Sequence, residues 1–139
     1  MKNFVIGMGV LLAAAGVANA QNWAEVGDAG DLPASAQAVV GSGPLSIITG
    51  SLAESDVDMY QIHIDNPELF LAQHTSTFSF DSQMFLFSAD GHGVAFRDDD
   101  ASGLRSSITG LFVPAAGDYL LAISGYDRDA LDVVAHAGR

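Results

Sequence analysis

The chain has 139 residues, with 17 Asp and Glu against five Lys and Arg, a net charge of −12, and no cysteine. That length fits one domain with a modest core. The charge disfavours nucleic acid and anionic lipid headgroups as partners, and the missing thiols exclude disulfides, thiolate zinc sites and cysteine catalysis.

Met1-Lys2-Asn3 is a short positive start, Phe4 to Val17 is an apolar run, and Ala18-Asn19-Ala20 supplies small residues before Gln21. This pattern reads as a secretory signal peptide over residues 1–20, with Ala18 and Ala20 framing the cleavage site. The run is too short for a comfortable bilayer span. Its removal takes the only lysine, leaving the acids against Arg97, Arg105, Arg128 and Arg139. The product is expected to be secreted, periplasmic or at a bacterial cell surface, with no membrane span after cleavage. A disulfide-free exported domain relies on its core alone, or on its core plus a metal.

Residues 21–43 form an acidic, Gly- and Ala-rich lead-in with one aromatic, Trp23. Residues 44–139 carry the main domain, and the lead-in is expected to pack with it as one unit. Leu45–Thr49, Met59–Ile64, Phe70–Phe80, Met84–Ser88, Val94–Arg97, Ser106–Val113 and Tyr119–Ser124 read as strands, separated by Gly, Pro, Asn and Asp turns. Such spacing predicts an all-β, antiparallel sandwich or barrel. Tyr60, Ile62 and Ile64 share one face, while Met59, Gln61 and His63 share the other. Phe85-Leu86-Phe87 is apolar on both faces and suits a central strand. Single turns at Leu52-Ala53-Glu54 and Pro67-Glu68-Leu69 are the nearest approach to helix. Leu131–Ala135 is a candidate short last strand; if the closing strand is missing, a sheet edge lies open.

The chemistry is carried by carboxylates in turns. Asp56 and Asp58 are two residues apart on a strand, which puts both on one side about 6–7 Å apart along the chain. A hard cation joins such a pair if another loop adds oxygens, and outside a cell calcium is the economical choice. Asp98-Asp99-Asp100-Ala101-Ser102-Gly103 matches the first half of an EF-hand loop, but Thr109 stands where the bidentate Glu belongs. A looser second metal loop of Asp90, Asp98 and Asp100 competes with a solvated acidic hairpin. His63, His74, His92 and His136 lack zinc-site spacing. Gly41-Ser42-Gly43 is not a nucleophile elbow.

Taken in order, Glu25–Gln37, Ile48–Leu52, Ser55–Ile62, Asp81–Gly91, Asp98–Asp100 and Pro114–Ser124 resemble the bacterial pre-peptidase C-terminal domain family, and in particular its small exported members. The resemblance covers Glu25 to Asp129. It implies a jelly-roll-like β-sandwich without a catalytic centre, similar to calcium-carrying collagen-binding domains. It further implies that Glu25, Asp28, Asp31, Ser51, Asp56 and Asp58 share a structural calcium. The expected function is a non-catalytic exported binding or adhesion domain for extracellular protein or polysaccharide. Trp23, Phe78, Phe80 and Phe96 are candidates for an aromatic platform. The alternative is an accessory, chaperone-like module that packs on a partner chain.

Overall fold

The computed structural model describes residues 2–9, 20–41, 43–53, 55–75, 80–99 and 103–130. Among them, ten strands build two five-stranded sheets that pack as a sandwich. In chain order the strands are β1 (Lys2–Gly9), β2 (Gln21–Ala24), β3 (Gln37–Ala38), β4 (Leu45–Leu52), β5 (Val57–Ile64), β6 (Leu71–His74), β7 (Ser82–Ser88), β8 (Gly93–Arg97), β9 (Ser107–Thr109) and β10 (Gly117–Gly125). The first sheet has the order β2-β4-β1-β6-β9 and the second β3-β5-β10-β7-β8. No helix among the described residues is long and apolar enough to cross a membrane.

Period-two alternation places the core. Tyr60, Ile62 and Ile64 of β5 and Tyr119, Leu121 and Ile123 of β10 point between the sheets, where they meet Ile48, Leu86 and Ile108. Each such side chain contributes about 1.5–3 kcal/mol relative to exposure. The opposite face of the second sheet is also apolar. Met59, Phe85, Phe87, Leu120 and Ala122 form a second cluster there, against which Ala36 and Ala130 pack. The two-sided character of Phe85-Leu86-Phe87 therefore reflects a strand covered on both faces.

Residues 2–9 of the segment read as a leader are built into the first sheet. β1 lies between β4 and β6 and is antiparallel to both, with Phe4 and Ile6 buried in the core. The overlap has a physical reason. Phe4-Val5-Ile6 offers apolar side chains to both faces, which a mid-sheet strand needs as much as a leader does.

The expected antiparallel sandwich is observed, with parallel pairing added at the lead-in. β2 runs parallel to β4, and β3 runs parallel to β5. The chain between each pair is long enough for a crossover, so no hairpin forces the antiparallel sense. The predicted strand Ser106–Val113 is broken after Thr109 by a 3-10 turn at Gly110–Phe112. Gly110 sits against the backbone of the Pro67–Leu69 turn; a Cβ there would fall 1.6 Å from the Pro67 carbonyl oxygen. Only glycine permits that approach, and the strand ends where it occurs. Of Phe70–Phe80, Leu71–His74 is strand and Phe80 is buried, while residues 76–79 lie outside the described set.

Candidate metal centre

Asp28, Asp56 and Asp58 converge at one end of the sandwich. One carboxylate oxygen from each lies within 4.8 Å of the other two. The spacing follows from the elements. Asp56 closes the turn from β4, its amide bonded to the Ala53 carbonyl at 3.2 Å, and Asp58 is the second residue of β5. Asp58 has the same parity as Tyr60, so its side chain points inward.

Asp28 is brought over them by a strapped loop. Gln37 donates from Nε2 to the Val26 carbonyl at 2.8 Å and accepts from the Val26 amide at 3.1 Å. The Met59 amide donates to the Gly30 carbonyl at 3.2 Å, tying the loop to β5. Ala29, between them, is buried in the core.

Glu25 has a different role from the one expected. Its Oε1 accepts from the Ala29 amide and the Tyr60 hydroxyl, both at 3.0 Å, and its Oε2 accepts from the Ser51 amide at 3.0 Å. This carboxylate clips the lead-in to β4 and β5. Gly50 leaves the room: a Cβ there would meet Phe4 Cζ at 2.6 Å and Glu25 Oε2 at 2.9 Å. Tyr60, also packed edge-on to Trp23 at 5.7 Å, has its phenol pKa raised by burial and then by Asp58 and Glu25.

Asp58 is the opposite case. It is fully buried, and neither carboxylate oxygen has a hydrogen-bond partner. Burial, then the charges of Glu25, Asp56 and Asp28, push its pKa up to about 8. Asp56 is raised as well, by burial and by Asp28 and Asp31, although the Val57 amide donates to its Oδ1 at 2.9 Å and opposes the shift. Buried unpaired carboxylates are costly unless protonated or paired with a cation. Oxygen-only donors, one of them buried and unpartnered, fit a hard cation such as calcium. Of the six residues expected at this centre, Asp28, Asp56 and Asp58 offer the converging oxygens. Glu25 is occupied by donors, Ser51 contributes its amide to Glu25, and Asp31 is exposed beside Asp56.

The described residues of the second acidic loop group differently from the expected set. Asp90 belongs to the 88–92 turn, where it accepts from the Ser88 hydroxyl; that bond holds its pKa below the usual range. Asp98 instead meets Asp81 and Asp99, and Asp100 lies outside the described residues. The Asp98 pKa is raised by burial, then by Asp99, Asp81 and Asp129. Asp81 was legible only as turn punctuation before β7.

The remaining candidates separate cleanly. His63 pairs with Asp118 at 2.7 Å on the surface, and the Asp118 bond raises its pKa. His74, Ser82 and Ser106 form a buried chain of 3.0 Å contacts in the core. All three are wholly buried, so no substrate reaches them. Burial, with Arg105 nearby, lowers the His74 pKa. The aromatic platform does not assemble among the described residues: Trp23 packs against the core, Phe80 is buried, and only Phe96 is exposed. Phe78, Ala18 and His136 lie outside the described set, while Ala20 is exposed. No family model, no curated protein and no solved structure matches this chain.

Proposed function

We propose that this chain is an exported, non-catalytic binding or adhesion domain of the pre-peptidase C-terminal type, held together by one structural calcium at Asp28, Asp56 and Asp58. The observation that carries the metal reading is Asp58: a buried carboxylate whose two oxygens have no partner and face two further carboxylates. An ion there joins the lead-in to the start of β5 and replaces repulsion among the acids with attraction. Extracellular modules of this kind bind calcium at roughly 10⁻⁴ to 10⁻³ M.

At a hundredfold excess over its dissociation constant, calcium stabilises the fold by about 2.7 kcal/mol. That corresponds to a rise in Tm of about 10 °C for a domain of this size. The experiment is thermal unfolding in calcium at that hundredfold excess, about 10–100 mM for such affinities, in chelator, and in both conditions for Asp58→Asn. Calcium should raise the wild-type Tm and leave Asp58→Asn unmoved. A wild-type melting curve indifferent to calcium and chelator would sink the reading.

The ligand proposed for the module is an extracellular protein or polysaccharide, tested by pull-down on collagen, peptidoglycan and polysaccharides. One observation favours the accessory reading instead. Leu111 and Phe112, 76% and 57% exposed, stand with Leu69 on the two abutting 3-10 turns and offer an apolar spot to a partner chain. Binding to none of the polymers would favour that reading.

A further inference from the structure

The end of the sandwich away from the carboxylate centre carries a different kind of surface. There β5 and β9 end, β10 begins, and the 3-10 turns at Pro67–Leu69 and Gly110–Phe112 abut. Pro67 and Gly110 break the strand pattern, so the apolar residues beside them do not alternate into the core. Leu69, Leu111 and Phe112 stay exposed in consequence.

Between the turns and the strand ends the surface is concave. Leu45, Ile64, Leu69, Phe70 and Leu71, with Met8 of β1, wall a cavity of about 100 Å³ that the exposed His63, Asp65 and Asn66 complete. The same Leu69, Phe70 and Leu71 line an open groove that reaches Thr109, Leu111 and Val113. These walls are held by the protein itself. Asn66 Oδ1 accepts from the Glu68 amide at 3.0 Å, the Gly110 amide donates to the Phe70 carbonyl at 3.0 Å, and the Val113 amide donates to the Gly110 carbonyl at 3.0 Å. A preformed concavity loses little ordering entropy when it is filled.

The charge at this end has one sign. Asp65, Glu68 and Asp118 are exposed, and His63 lies 2.7 Å from Asp118 and 3.6 Å from Asp65. Even a protonated ring leaves that trio with a net negative charge. The described cations are placed towards the other end: Lys2 is paired with Leu52, Arg97 is paired with Met84, Arg105 precedes β9, and Arg128 follows β10. Among the described residues, no Lys or Arg belongs to the segments that form the cavity and the groove.

We infer that this end is a docking site for a basic, leucine-bearing segment of a partner protein. One aliphatic side chain enters the cavity, a second lies in the groove, and flanking Lys or Arg meet Asp65, Glu68 and Asp118. The inference takes from the proposed function that the ligand is a protein, and it needs no metal. Size and sign select the occupant. An apolar cavity of about 150 Å³ holds a benzene-sized group, so this smaller one suits a Leu, Ile or Val side chain. A carboxylate rim steers and retains a cationic partner. A second copy of this chain, at net charge −12, would set the same acids against themselves. A polysaccharide brings no aliphatic side chain to the cavity.

The test uses the full chain, since Met8 is part of the wall, and three labelled octapeptides of alternating Lys-Leu, Glu-Leu and Lys-Ser. Fluorescence anisotropy should show Lys-Leu binding at least about tenfold tighter than either of the others. Leu69→Ser and Leu111→Ser, both at exposed positions, should each weaken Lys-Leu by about tenfold with Tm nearly unchanged. Asp65→Asn with Glu68→Gln should weaken it severalfold and flatten its dependence on salt, whereas Asp129→Asn at the other end should not. Bound peptide should slow amide exchange within residues 63–71 and 109–113. Equal affinity for Lys-Leu and Lys-Ser, no binding of Lys-Leu, or protection confined to the carboxylate end would overturn the proposal. So would a dimer that Leu111→Ser dissociates, or retention on a polysaccharide that Leu69→Ser abolishes. Chelator should leave the peptide affinity unchanged. Lost peptide binding beside a retained calcium shift in Tm rejects this site alone, and the converse rejects the metal alone.

Discussion

Asp58 and Glu25 lie within reach of the same charges and differ in what satisfies them. Glu25 collects three donors, so its charge is held by the protein itself. Asp58 has none and depends on a proton or a cation. The pH dependence of the metal-free domain follows. The folded pKa of about 8 lies above the ordinary carboxylate value of 3.8, so between them the folded state binds more protons than the unfolded. Stability from this group is therefore full below about pH 4 and is lost as pH rises towards 8. Urea titrations in chelator should show the midpoint falling over that range, and Asp58→Asn should flatten the fall. Saturating calcium should flatten it in the wild type, because the ion takes the place of the proton. A wild-type midpoint that rises with pH in chelator would contradict this account. Asp56 and Asp58 were legible because their spacing alone puts them on one side of a strand. The clip made by Glu25 was not, because it depends on Ser51 and Tyr60, which only folding brings to it.

At the scale of elements, strands with clean alternation were legible almost to the residue. β5 and β10 each start two residues before the expected strand and end at most one residue beyond it, because apolar side chains at every second position leave one way to bury them. β2 and β3 were missed, being four and two residues long and recruited as parallel edges by their neighbours. β1 falls within the segment read as a leader because one composition serves both uses. β9 ended early for a reason no periodicity contains, the backbone of Pro67 against Gly110. Gly110→Ala should therefore destabilise by about 1–3 kcal/mol, as overpacking does. Gly27→Ala, with open space but a φ of 72°, should cost only about 1 kcal/mol. Denaturant midpoints at unchanged m-value provide the measurement; equal stability of Gly110→Ala and wild type would refute the close-packing account.

Across the whole molecule, the lead-in forms an edge of both sheets, β2 beside β4 and β3 beside β5. Between those two contacts it carries Asp28 to the carboxylates of β5. Both pairings join segments distant in sequence, so their loop-closure cost favours assembly after the local hairpins. An ion that bridges the lead-in to β5 then gains its full ligand set only late. Stopped-flow measurements should show calcium slowing unfolding severalfold while leaving the folding rate nearly unchanged; an accelerated folding limb with constant unfolding would argue that the centre forms early. For a protein outside the cell, the quantity that matters is how rarely the native state opens to a protease. On the proposed reading of an exported, calcium-bound domain, the lead-in strap turns ambient calcium into a clock on that opening, so the domain's lifetime is set by the medium it is released into.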